Sequence, residues 1–178
     1  MSLEDLGNIG EFVAAVAVLV SLIYLATQIR DNTRSLQAAS LQSVLDGQRD
    51  HSFLPLAQSA EITELYARGL NGLDNLDEGE RRRFLPLLLD QCFQMQNVMQ
   101  LHERNLLSDA DYDAWLKYTT SLFRTPGGAA VWPDLQRVLT PTIRDCISDS
   151  LKGNPDQPSF LQLMPLFRRG GSGSEEST

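Results

Sequence analysis

Residues 9–29 read IGEFVAAVAVLVSLIYLATQI, an apolar run interrupted by a single ionisable group, Glu11, near its start. No other feature limits the fold as strongly. At 1.5 Å rise per residue the run makes a helix of roughly 31 Å, which matches the ~30 Å hydrocarbon core of a bilayer. Tyr24 and Gln28 come late, where the membrane–water interface accepts them. A cleaved signal peptide needs a basic start and a small-x-small cleavage site. Here the start carries Glu4 and Asp5, and Thr27-Gln28-Ile29-Arg30 follows the apolar core. A buried core helix is the other reading, but this run is apolar on every face and a small helical domain rarely encloses such a helix. The sequence therefore predicts a transmembrane helix.

Lys and Arg decide orientation. None precedes the span, while Arg30 and Arg34 follow it. The expected topology has a short N-terminus outside and everything after Arg30 in the cytoplasm, where Cys92 and Cys146 stay reduced. Gly7, Gly10, Ala14, Ala17 and Ser21 are spaced 3, 4, 3 and 4 apart, so five small residues share one helical stripe. Small residues let helix backbones approach closely in lipid. With one span per chain the partner is a second copy, and these five residues are the candidate packing site of a homo-oligomer.

The expected organisation is a short N-terminus plus transmembrane helix over residues 1–29, a cytoplasmic helical domain over 30–152 and a flexible tail over 153–178. The fold class is all-α, with the transmembrane helix continuing into a helical bundle. No alternating apolar/polar runs bounded by hairpin dipeptides suggest a sheet. The first helix continues from Arg30 to about His51 through Leu36, Leu41, Val44 and Leu45, and Pro55 ends it. A second spans residues 59–70, capped by Ser59 and stopped by Asn71-Gly72. A third starts at Asp77, with Glu80 completing a capping box, and carries Phe84, Leu88, Cys92, Met95, Val98, Met99, His102 and Leu106 at helical spacing. Pro86 is expected to kink it. Ser108 caps a fourth helix bearing Tyr112, Trp115, Leu116, Leu122 and Phe123, and Thr125-Pro126-Gly127-Gly128 reads as a break. Short helices follow over residues 129–139 and 141–151, the latter with Pro141 at its first position. Trp115 and Trp132 are expected in the core.

In the tail, residues 170–178 are flexible by composition. The preceding stretch, Phe160 to Arg169, is apolar with two arginines. It suits either contact with anionic lipid or packing on the helical domain, and Pro165 prevents a regular amphipathic helix.

Little in the chain resembles a chemical site. Asp109-x-Asp111-x-Asp113 opens like a calcium loop, but Ala114 and Thr120 stand where such a loop needs Gly and Glu. Three carboxylates in a first helical turn are already favoured by the helix dipole. His51 and His102 lack the neighbours of a zinc pair. Cys92 and His102 lie about 15 Å apart along one helix, too far for a direct hydrogen bond. A pairing of Cys146 with either histidine stays open. Arg81-Arg82-Arg83 reads as a solvated helix start with local ion pairs. With no phosphate-binding loop, dinucleotide fingerprint, nucleophile elbow or zinc-protease motif, the chain is expected to be non-enzymatic, with no catalytic residue, cofactor or metal. Its net charge of −8 argues against nucleic acid as a partner.

Ile9-Gly10-Glu11, the Gln28-Ile29-Arg30-Asp31-Asn32-Thr33 exit, Leu76 to Phe84 and Gly127 to Trp132 resemble segments of a group of uncharacterised bacterial proteins common in marine sequences. The resemblance spans roughly residues 7–150. It implies an all-helical, membrane-anchored protein of the bacterial inner membrane and carries over no activity. The expected function is a self-associating interaction or scaffold module, with the lipid bilayer, further copies and an unidentified protein as partners. The alternatives are a pore or transport subunit, or an accessory subunit of a larger membrane complex.

Overall fold

The computed structural model describes residues 3–50 and 54–168. The side-chain surroundings of residues 3–9, among them Gly7, lie outside this description, as do His51 and residues 169–178. Among the described residues the structure is all-helical, with eight α-helices and no strand. The chain divides into two units, Met1–Ser40 and Leu41–Thr178. Helix α1 (Leu3–Gln48) makes up the described part of the first and supplies its last turns to the second.

Division falls at Ser40 because every described side chain from Gly10 through Ala39 is exposed, whereas Val44 and Gln48 are buried. Leu41 is half-buried against the core of the second unit. Leu36 and Leu45 stay exposed, so helical spacing alone overstated the apolar face of this segment.

Second-unit helices begin where capping chemistry puts them. In α3 (Ala60–Asn71) the Ser59 hydroxyl accepts from the Ile62 N–H at 3.2 Å. Gly72 ends the helix at φ 145°, a conformation costly to residues with a Cβ. α4 (Glu78–Glu103) carries the full capping box: the Asp77 carboxylate accepts from the Glu80 N–H at 2.8 Å, and Glu80 accepts from the Asp77 N–H at 3.0 Å. The helix continues through Pro86 and buries Phe84, Leu88, Cys92, Met95 and Val98. It ends before Leu106, and His102 is only half-buried. α5 (Asp109–Phe123) starts at Ser108, whose hydroxyl accepts from the Asp111 N–H. α1 ends before Pro55, which lies instead in α2 (Leu54–Gln58), a single turn.

Residues 125–128 are a helix start and not a break. The Thr125 hydroxyl accepts from the Gly128 N–H at 3.1 Å, Pro126 takes the first position, and α6 runs Pro126–Leu135. Gly127 and Gly128 are there for close approach: both are buried, with the backbones of α3 and α5 against them. α7 (Pro141–Gly153) follows as expected from Pro141 and buries Ile143 and Ile147.

Beyond α7 the described chain runs on to Arg168. Arg124 donates to the carbonyls of Leu151 at 2.9 Å and Asn154 at 2.5 Å, gathering the last turn of α7. Gln157 donates to the Lys117 carbonyl at 2.7 Å. α8 (Phe160–Leu163) then buries Phe160 and Leu161, and a 3-10 turn (Pro165–Phe167) closes the described chain.

The core of this unit lies along α4, between α3, α5, α6 and α7, with Phe84, Leu88, Met95, Leu122 and Ile143 fully buried. Trp132 is half-buried, its ring 4.8 Å from Phe123. Trp115 packs against the core edge-on to Tyr118 at 6.1 Å, also half-buried. The tryptophans thus edge the core and do not fill it.

Candidate membrane-spanning helix

Among the described residues α1 is the one helix long and apolar enough to cross a bilayer. In the most apolar part of α1 nothing is buried. Phe12 is 71% exposed, and Val18, Leu22, Ile23 and Leu25 stand open in the same way. A helix that belonged to a soluble core would have protein against it; this one presents apolar surface all round.

Beyond Glu11, its polar side chains Ser21, Thr27 and Gln28 close on the helix itself. The Ser21 hydroxyl donates to the Ala17 carbonyl at 2.8 Å, and the Thr27 hydroxyl donates to the Tyr24 carbonyl at 2.7 Å. Gln28 donates to the Tyr24 hydroxyl at 2.6 Å. In hydrocarbon an unpaired hydroxyl or amide costs several kcal/mol, so such local bonds make these residues tolerable there. Beyond the apolar run the pattern persists: Thr33 donates to the Ile29 carbonyl, and Arg34 pairs with Asp31 at 3.9 Å.

Gly10, Ala14, Ala17 and Ser21 are all exposed. A Cβ added at Gly10 would meet nothing within 4 Å. The Ser21 hydroxyl, folded onto Ala17, keeps the stripe low, so the described face offers another backbone a close approach. The signal missed in the sequence is this back-bonding, which follows from the i−4 reach of a helical serine.

The remaining candidate chemistry is resolved into pairs. His102 Nε2 lies 2.8 Å from Asp109 Oδ1, and Asp111 serves the Ser108 cap. Among the described residues no group of three His, Cys, Asp or Glu side chains can hold a metal ion. Cys146 has Tyr112 as its partner, with the hydroxyl 3.3 Å from Sγ, and the same tyrosine ring stacks on His102 at 4.4 Å. Tyr112 thus stands between the thiol and the imidazole. Burial, then the Cys146 bond, pushes its phenol well above the usual range. Sequence reading passed over Tyr112 because its partners come from α4 and α7, distant in the chain. Cys92 lies in the core, where burial pushes the thiol up to about 12. Arg82 pairs with Glu78, Arg83 with Glu61 at 2.7 Å, and Arg81 donates to the Leu73 and Leu76 carbonyls.

One apolar hollow of about 300 Å³ lies between the end of α1 and α5, lined by Leu45, Gln48, Ala114, Trp115 and Tyr118. The Gln48 amide nitrogen donates to Tyr118 at 3.3 Å and to Gln91 at 3.4 Å, while its buried oxygen has no partner. Desolvation pushes the Tyr118 phenol up to about 12.

Comparison of the chain with protein-family profiles, with curated proteins and with solved structures gave no match.

Proposed function

We propose that this protein is a single-pass protein of the bacterial inner membrane that works as a self-associating, non-enzymatic interaction module. α1 anchors it, with the N-terminus outside, and the helical unit that follows is displayed in the cytoplasm. The observation that carries the reading is the bare apolar surface of α1, where nothing is buried in its most apolar part. The side chains of Ser21, Thr27 and Gln28, closed on the helix, support the same environment. Orientation rests on Arg30 and Arg34 after the span, against an N-terminal side without Lys or Arg. Self-association rests on the exposed Gly10, Ala14, Ala17 and Ser21 stripe.

Membrane extraction and copy number test this function together. The full chain is expected to stay in the membrane pellet after alkaline carbonate washing and to show more than one copy by single-molecule photobleaching in lipid. Release by carbonate would overturn the anchor. A strictly monomeric chain would leave an anchor without assembly.

A further inference from the structure

The segment after α7 is divided between burial and display. Phe160 and Leu161 are each 7% exposed, and the Phe160 ring lies 5.5 Å from Phe167. Phe167 meets Tyr66 edge-on at 6.1 Å, and its carbonyl accepts from Asn71 Nδ2 at 2.7 Å. The Ser159 N–H donates to Gln162 at 2.7 Å, closing the capping box of α8. With its base pinned in this way, the loop holds Leu163, Met164 and Leu166 outward at 52%, 52% and 99% exposure. Other exposed large apolar residues of this unit, such as Phe93 and Val138, stand singly along the chain. Three within four positions need a partner more than scattered ones do.

Charge narrows the choice of partner. Residues 157–169 carry Arg168 and Arg169 and no acidic group, in a chain with 23 Asp and Glu. Arg168 is exposed two positions after Leu166, its guanidinium donating to the Leu161 carbonyl at 3.4 Å. Apolar side chains flanked by arginine suit the boundary between anionic headgroups and acyl chains. A chain already tethered to a bilayer meets that surface at high effective concentration, so a small patch suffices.

We propose that this loop is a second membrane contact, with Leu163, Met164 and Leu166 entering the headgroup boundary of an anionic bilayer and Arg168 facing lipid phosphate. The inference rests on the reading of α1 as an anchor. A second copy of the chain or a soluble protein is the competing occupant.

Methionine methyl signals test it in the full chain, in nanodiscs of phosphatidylcholine with about 30% phosphatidylglycerol. Nitroxide-bearing lipid is the probe. The Met164 methyl signal is expected to lose intensity at least about fivefold when nitroxide lipid is present, while that of the buried Met95 holds. Leu166→Glu together with Arg168→Glu should restore the Met164 signal. A Val18→Met variant reports on α1 independently. If the signal from position 18 is quenched and Met164 stays sharp, the second contact is overturned and the anchor stands. If neither is quenched, the anchor itself falls. Quenching of Met164 that survives the double variant, or a Met164 signal altered by protein concentration and not by nitroxide lipid, overturns the proposal in favour of another occupant.

Discussion

Gly127 lies against the carbonyl of Gly69: a Cβ built on Gly127 would sit 1.7 Å from that oxygen. Two glycines from helices far apart in sequence thus bring the start of α6 onto α3, and neither backbone has room to yield. Gly127→Ala is expected to destabilise the protein by about 3 kcal/mol or to prevent folding. Gly153→Ala, where a Cβ meets nothing within 4 Å, should be neutral or slightly stabilising. Thermal unfolding of the full chain in nanodiscs compares the two, and equal melting temperatures for both variants would contradict the close approach.

Glu80 links acid stability to the seam between α3 and α4. The Arg68 guanidinium, and then the Asp77 N–H, hold its carboxyl below the usual 4.5. The folded state therefore prefers the ionised form. Its stabilisation is complete above the usual carboxyl value and is lost as pH falls through the lowered one. Glu80→Gln should lower stability at neutral pH and flatten this part of the acid dependence. Melting temperatures measured between pH 3 and 7 check the slope, and an unchanged slope in the variant would assign the acid loss to other carboxylates.

The two thiols should differ in reactivity. Cys92 is fully buried, with its thiol pushed up to about 12, so little thiolate forms at neutral pH and no reagent reaches it. Cys146, midway along α7, is partly exposed. Alkylation at neutral pH should modify one cysteine in the native protein and both in denaturant. Mass mapping identifies the site, and rapid native labelling of Cys92 would show that the core opens there.

Bulk on the small-residue stripe should weaken assembly. Ala14→Ile and Ala17→Leu hold helix backbones apart while keeping the span apolar, so insertion persists and copy number falls. Val16→Leu and Val20→Leu, off the stripe, should change little. Crosslinking in lipid reads the outcome, both in the full chain and in a shortened chain ending near Arg34. An unchanged oligomer in both after Ala14→Ile would move the interface off the stripe.

Arg124 is expected to hold the end of α7. Its guanidinium reaches the carbonyls of Leu151 and Asn154, which have no further helical turn to bond. Arg124→Ala should cost about 1–3 kcal/mol. It should also speed hydrogen exchange over residues 150–157. Exchange there as slow as in the parent would place the stability of this turn elsewhere.

Much of the helical outline was legible because its causes are local. The apolar run defines α1, and Ser59, Asp77 with Glu80, and Ser108 each act on an N–H three residues away. Such bonds form whatever the rest of the chain does. Even the stripe on α1 follows from helical periodicity alone, although the surroundings of Gly7 lie outside the description.

Tertiary structure decided what depends on distant neighbours. Gly127 and Gly128 read as a break by composition, yet against Gly69 and Leu122 they are close-packing positions inside a helix. For Phe160 to Arg169 the sequence offered two readings, and Tyr66, Asn71 and Tyr118 supply the base that buries Phe160 and Leu161 and leaves Leu166 in the open. Cys146 found Tyr112, not His102, because α5 brings that ring to α7. A sequence states which side chains prefer burial. Which of them obtain it is settled only when the helices meet, since the space beside each residue is made by others tens of positions away.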